Sequence, residues 1–155
     1  MDLASLLTAE QIIPSLTSND HWGVIVELVD HLADSGRLPA AIREDTLQKF
    51  KEREEKSSTG IGSGVAIPHA FSEQIDHVVA VFGRSKEGVN FESVDNNPVH
   101  FIVLFVVPKK QYHLHLKTLA AIAKLFTRSE IRQQLSEAET RDDILEVFGA
   151  QVVNS

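Results

Sequence analysis

The chain contains no cysteine. A disulfide scaffold, a thiolate metal site and a cysteine nucleophile are therefore excluded. Basic residues are in deficit: 15 Lys and Arg stand against 22 Asp and Glu, for a formal net charge of −7. Nucleic-acid binders normally carry a basic excess, so DNA and RNA are disfavoured as partners. The acidity instead favours solubility and association with basic protein surfaces. No long hydrophobic run exists either. The strongest, residues 101–108 (FIVLFVVP), falls far short of the ~20 residues that span a bilayer. The N-terminus carries Asp2 and no basic segment, so it does not read as a secretory signal. The expectation is a cytoplasmic protein with no membrane insertion. No repeat and no Gly/Ser/Pro linker divides the 155 residues, which predicts one domain over 1–155.

What is present has a clear order. Thr8-Ala-Glu-Gln11 has capping-box spacing, and Pro14 limits the turn it opens. After Asn19-Asp20, the spacing of Trp22, Ile25, Leu28, Val29 and Leu32 predicts a helix that Gly36 stops. A second helix is predicted from Pro39 to about Lys56, with Ile42, Leu47 and Phe50 inward and a charged run at its end. Residues 57–64 are small and Gly-rich. Val65–Ile67 is a short strand signal stopped by Pro68, Val78–Phe82 a second strand, and Lys86-Glu-Gly88 a turn. Asp95-Asn-Asn-Pro98 is another turn. Residues 99–107 (VHFIVLFVV) form the strongest strand, apolar enough for burial on both faces. Helical period returns from about Leu114, with Leu116, Leu119, Ala120, Ala123 and Phe126 or Ile122 as core. Ser129 and Thr140 precede further helices. This order predicts an α/β protein with a central mixed sheet of about five strands flanked by helices.

Four features could carry chemistry. Gly60, Gly62 and Gly64 are spaced GxGxG, but position 65 is Val, so the dinucleotide fingerprint is incomplete and no GxxxxGK[ST] exists. Such a loop allows close backbone approach and free N–H groups for an anion, or is simply a tight connection. Pro68 forces Ile67 to be extended and cuts the strand, so His69 emerges at a sheet edge on stiff backbone. Imidazole titrates near neutrality and is nucleophilic when neutral. The bland alternative is a solvated strand-end histidine. His113 and His115 would point the same way only on a strand, so before a helix they diverge and a metal pair is disfavoured. His115 falls on the inward face with Leu119, Ile122 and Phe126. Arg53 lies in a charged run that is ordinarily solvated, yet arginine is well fitted to hold a phosphoryl group. His21, His31, His77 and His100 read as structural or surface residues with no evident partner.

The segment Glu54–Ala70, EEKSSTGIGSGVAIPHA, resembles the signature of phosphotransferase-system EIIA domains of the fructose/mannitol type. Glu54, Ile61, Gly62, Val65, Ala66, Ile67, Pro68, His69 and Ala70 agree with its fixed positions. FESVDNNPVHFIVLFVVP and HLKTLAAIAKLF also look like family segments, and the wording around 53–70 is most similar to the nitrogen-regulatory branch.

The resemblance implies a phosphocarrier. His69 would accept a phosphoryl group on Nε2 from the phosphohistidine of an HPr-like protein. Arg53, sixteen residues earlier, and His115, in the context HLKTL, would complete the site, with His113 as a competitor for the second role. Thr59, Gly62 and Ser63 are candidate phosphate contacts, and Phe71 and Leu114 candidate rim residues. No metal or cofactor is implied. The acceptor would be a regulatory target, for nitrogen or carbon signalling, or the EIIB domain of a sugar transporter. A metal-dependent hydrolase using His69, His113 and His115 is the chemically distinct alternative.

Overall fold

The computed structural model describes residues 3–153. A one-turn helix α1 (Leu3–Leu6) leads to the two-residue strand β1 (Ile12–Ile13) and then α2 (His21–Asp34) and α3 (Arg43–Lys56). The strands β2 (Gly60–Gly62), β3 (Val65–Ala66), β4 (His69–Ser72), β5 (Val79–Val89) and β6 (Val99–Pro108) follow. Three helices close the chain: α4 (Tyr112–Phe126), α5 (Ser129–Glu137) and α6 (Arg141–Val153). Asp20 caps α2 by accepting the Gly23 N–H at 2.8 Å. Thr140 and Asp143 form a reciprocal cap on α6. Pro39 does not open an α-helix directly; a 3-10 turn, Ala40–Ile42, comes first.

The sheet is mixed and has six strands in the order β1-β5-β6-β3-β2, with β4 also on β6. β5 is antiparallel to β6, whereas β3 and β4 run parallel to it. Alternation along β6 divides the core. Ile102, Leu104 and Val106 face α2 and α3, packing with Ile25, Leu28, Leu32 and Phe50. Phe101, Val103, Phe105 and Val107 face α4–α6, packing with Ile122, Phe126, Ile131, Leu135, Ile144 and Phe148.

Four expectations are corrected. The strand signal stopped by Pro68 resumes at His69, and β3 and β4 keep one register on β6: Ala66 pairs Ile102 and His69 pairs Phe105. Proline removes one ladder donor, and pairing on β6 resumes beyond it as β4. Lys86-Glu-Gly88 is an irregularity inside β5, not its end. The pairing shifts between Arg84 and Val89, and Gly88 takes φ +91 with Pro98 against it. Trp22 is partly exposed, at the margin of the α2 stripe. On α4 the buried face is His115, Thr118, Ile122 and Phe126. Leu116 is 41% exposed, Ala120 is also exposed, and Leu119 and Ala123 are only partly covered.

Arg84, on β5, ties the C-terminal end of α5 to the sheet and to the segment after β1. It is 4% exposed, and its guanidinium donates to the carbonyls of Pro14 (2.9 Å), Leu135 (2.7 Å) and Ala138. The last two carbonyls are at the C-terminal end of α5, where a cation is favoured. Arg84→Met should leave these carbonyls unsatisfied and cost about 2–4 kcal/mol of stability. Urea denaturation should show a lower midpoint at unchanged slope; an unchanged midpoint would contradict the strap.

Candidate active site

His69 is the first residue of β4, an edge strand that among the described residues pairs with β6 alone. The outer strand β2 pairs β3 alone, so the sheet narrows where His69 stands. Proline fixes the approach: Pro68 is buried, and its carbonyl accepts the Phe105 N–H at 2.9 Å. Ile67 and its carbonyl are thereby placed beside the next imidazole. His69 Nδ1 lies 2.9 Å from the Ile67 carbonyl oxygen. A carbonyl only accepts, so the proton sits on Nδ1 and the lone pair on Nε2. The ring is half-buried and Nε2 has no protein hydrogen-bond partner among the described residues, yet it is not a sealed-off polar atom; only Ser93 Oγ is. Nε2 therefore opens to solvent.

Burial pushes the His69 imidazole below its ordinary pKa; the Ile67 carbonyl opposes this, Arg53 adds to it, and Glu54 opposes it. Arg53 and Glu54 thus both make themselves felt at the ring. Arg53, in the last turn of α3, is half-buried and donates to the Ser57 carbonyl at 2.8 Å. It caps its own helix and is held close to His69 by doing so.

Glu54 opens the signature that the sequence resembles, but the sequence assigned it no role, and the charged run around it reads as solvated. Its side chain is 7% exposed. Oε2 accepts the Thr59 N–H at 3.2 Å and meets His21 Nε2 at 3.0 Å, and Oε1 accepts the Thr59 hydroxyl. Burial would raise this carboxyl's pKa, but the hydrogen bonds from His21 and Thr59 outweigh it and hold the group below the usual range. His21 also packs its ring on Phe91, centroids 4.1 Å apart. Its spacing as the first residue of a capped helix was the available signal, but its partner comes from another helix.

Other candidates are placed differently. The Thr59 hydroxyl is turned to Glu54, not to an anion. Ser63, at φ 57 beside Gly62 at φ +96, gives its N–H to Asp95 Oδ2 at 2.9 Å. The chain's own carboxylate occupies the loop position that an anion was expected to take. Because α4 begins at Tyr112, both late histidines are helical and diverge. His115 is 2% exposed with Nε2 3.0 Å from Gln111 Oε1, while His113 is exposed against Tyr112. Burial lowers the His115 pKa. No hydrogen bond or electrostatic interaction among the described residues joins His115 to His69. His31, His77 and His100 do have partners, the Glu10 carbonyl, Asp76 and the Ser85 carbonyl. The described residues contain no group of three or more His, Asp or Glu arranged to hold a metal. Beside His69 an apolar rim stands out. Phe71 lies edge-on to it at 6.1 Å and touches Tyr112 at 4.7 Å, and Leu114 is 59% exposed.

No helix among the described residues is long and apolar enough to cross a membrane. Comparison with known proteins gives one consistent result. The chain is 38% identical over 152 residues to the fructose-specific EIIABC component of Bacillus subtilis, covering 96% of this chain and 23% of that protein's length. It is 32% identical over 149 residues to a nitrogen regulatory protein of Bradyrhizobium diazoefficiens, covering 96% of this chain and 95% of the other. The crystal structure of nitrogen regulatory protein IIA-Ntr from Neisseria meningitidis superposes with a TM-score of 0.85 at 25% identity, covering 94% and 98% of the two chains. The sequence profile of the phosphoenolpyruvate-dependent sugar phosphotransferase system EIIA 2 family matches residues 5–150, and the chain belongs to that family.

Proposed function

We propose that His69 is the phosphoacceptor through which this chain relays a phosphoryl group, taken from the phosphohistidine of an HPr-like carrier in the cytoplasm. The relay itself is the family's activity. The observation that carries the residue assignment is the 2.9 Å bond from Nδ1 to the Ile67 carbonyl, with Nε2 open to solvent. The Nε2 lone pair forms a bond to phosphorus as the donor's P–N bond breaks. The electron pair of the broken bond returns to the donor nitrogen, and Nδ1 keeps its proton. The ring becomes cationic as it is phosphorylated, so its hydrogen bond to Ile67 strengthens along the reaction. The transferring phosphoryl group is loose and metaphosphate-like, and positioning and charge stabilisation carry the rest. Arg53 supplies positive charge to its oxygens. His115, under the Tyr112 and Leu114 rim in the first turn of α4, is assigned as the second imidazole of the site rather than the exposed His113. Thr59 is assigned no phosphate contact, because its N–H and hydroxyl are both engaged by Glu54, whereas Ser63 has given up its N–H to Asp95 and would reach a phosphoryl group through its hydroxyl alone.

The likeness to nitrogen regulatory proteins over nearly their whole length supports a regulatory role, read out by the phosphorylation state. The 38% identity to the fructose-specific protein favours a second reading, in which a sugar-specific EIIB is the acceptor. Offering the phosphorylated chain to a fructose- or mannitol-type EIIB separates them: transfer establishes transport, and no transfer leaves regulation.

His69→Ala should abolish base-stable labelling by a phosphorylated HPr-type donor, read by mass spectrometry without acid; retained labelling removes the assignment. Arg53→Ala should slow acceptance by ~10–1000-fold, the scale of losing one charge-stabilising donor. Stopped-flow rates equal to those of the unaltered chain would reduce Arg53 to a helix cap. A lowered His69 pKa keeps Nε2 free at neutral pH, and the free form is lost only as pH falls through that lowered value. The His69 Cε1–H resonance should therefore titrate with a midpoint below the ordinary value of about 6.5. A midpoint above it would contradict an environment dominated by burial.

A further inference from the structure

Glu54 and His69 are fifteen residues apart, and an unbroken run of hydrogen bonds joins them. Both Glu54 carboxylate oxygens hold Thr59, through its N–H and its hydroxyl. The Thr59 carbonyl accepts the Ile67 N–H at 3.0 Å. The Ile67 carbonyl in turn faces His69 Nδ1 at 2.9 Å. The far end is anchored by His21 at the start of α2, which meets Glu54 Oε2 at 3.0 Å. The run thus links the end of α3, the Gly-rich loop and the β3–β4 strand to the His69 ring, and α2 anchors it from a separate part of the chain.

We propose that Glu54 is a positioning residue for His69: through Thr59 and Ile67 it sets the orientation and tautomer of the imidazole. This rests on the reading of His69 as phosphoacceptor. A neutral histidine free in water prefers its proton on Nε2, which would block attack from that nitrogen. The site must reverse the preference, and it does so with one carbonyl. That carbonyl is useful only while Ile67 is held in place, and Ile67 is the residue before a proline, with one N–H to anchor it. The N–H goes to Thr59, and Thr59 goes to Glu54. The hydrogen-bonded carboxylate is therefore a mount rather than a participant; it touches neither the ring nor the transferred group. Ser58 holds the loop independently, taking the Gly60 N–H at 3.0 Å and donating to the Phe91 carbonyl. Loss of the Glu54 clamp should loosen Ile67 without dismantling the loop.

The test reads the tautomer of His69 by long-range proton–nitrogen NMR on unphosphorylated chain, at a pH where the ring is neutral. The unaltered chain should show Nδ1–H. Glu54→Ala should show a mixture of tautomers and ~10–100-fold slower phosphoryl acceptance, in the maximal rate rather than in half-saturation by donor, the scale of a small misplacement. Glu54→Gln keeps an acceptor oxygen for Thr59 and should stay within about threefold of the unaltered chain, with Nδ1–H retained. An unchanged tautomer in Glu54→Ala overturns the proposal. So does Glu54→Gln matching Glu54→Ala, which would assign the effect to the carboxylate's charge. If the amide spectrum shows Glu54→Ala unfolded, Thr59→Val decides: a shifted tautomer supports the mount and an unshifted one overturns it. The tautomer is read without any donor. An unaltered chain that refuses the phosphoryl group would overturn the phosphoacceptor reading and leave the mount judged on its own signal.

Discussion

A missing N–H organises the candidate site. Pro68 cannot donate to the ladder, so the strand facing β6 is interrupted for one step and then continues in the same register. The Pro68 carbonyl still serves Phe105, which keeps the two halves coplanar enough to share a partner. The Ile67 carbonyl is left to serve His69. The Ile67 N–H goes to Thr59, so on extended backbone its carbonyl also faces away from β6, and there it meets His69 Nδ1 and assigns the ring its proton.

Around that oxygen the charges are arranged in opposition. Arg53 disfavours protonation of His69 and Glu54 favours it, while burial decides the sign. A carboxylate this close to a nucleophile would ordinarily repel a phosphoryl group, whose oxygens are anionic. Its charge is tempered by His21 and the two Thr59 donors, which take up both oxygens. The Arg53 guanidinium, by contrast, makes one hydrogen bond among the described residues, to the Ser57 carbonyl. Donor capacity remains on it for an incoming anion. The site holds its negative charge inward and its positive charge available.

The apolar rim matches a transaction between two proteins. A small-molecule enzyme would enclose its substrate; here Nε2 is open, and Tyr112 and Leu114 stand partly exposed in the first turn of α4. Exposed apolar groups beside a polar centre are the usual composition of a surface that is covered intermittently. His115 sits under this turn, held by Gln111.

Much was legible in the linear chain because it is local. Asp20, Thr140 and Gly36 act within a few residues of themselves, and residues 99–107 are apolar on both faces because both faces are covered. The Pro-His step is local too: proline restricts Ile67, and Ile67 holds the next-but-one side chain. What stayed hidden depends on partners brought from elsewhere. Nothing near Ser63 in sequence foretells that Asp95 fills its loop, and nothing near Glu54 foretells His21. The strand signal at 65–67 looked finished because a proline ends most ladders; only β6, offering Phe105 on the far side, shows that it resumes. The sequence by itself determined the helices, the buried strand and the presentation of one imidazole, because short-range sterics and periodicity suffice for these. The tertiary structure decided which nitrogen is free and which charges surround it, because hydrogen bonds and burial join residues far apart in the chain.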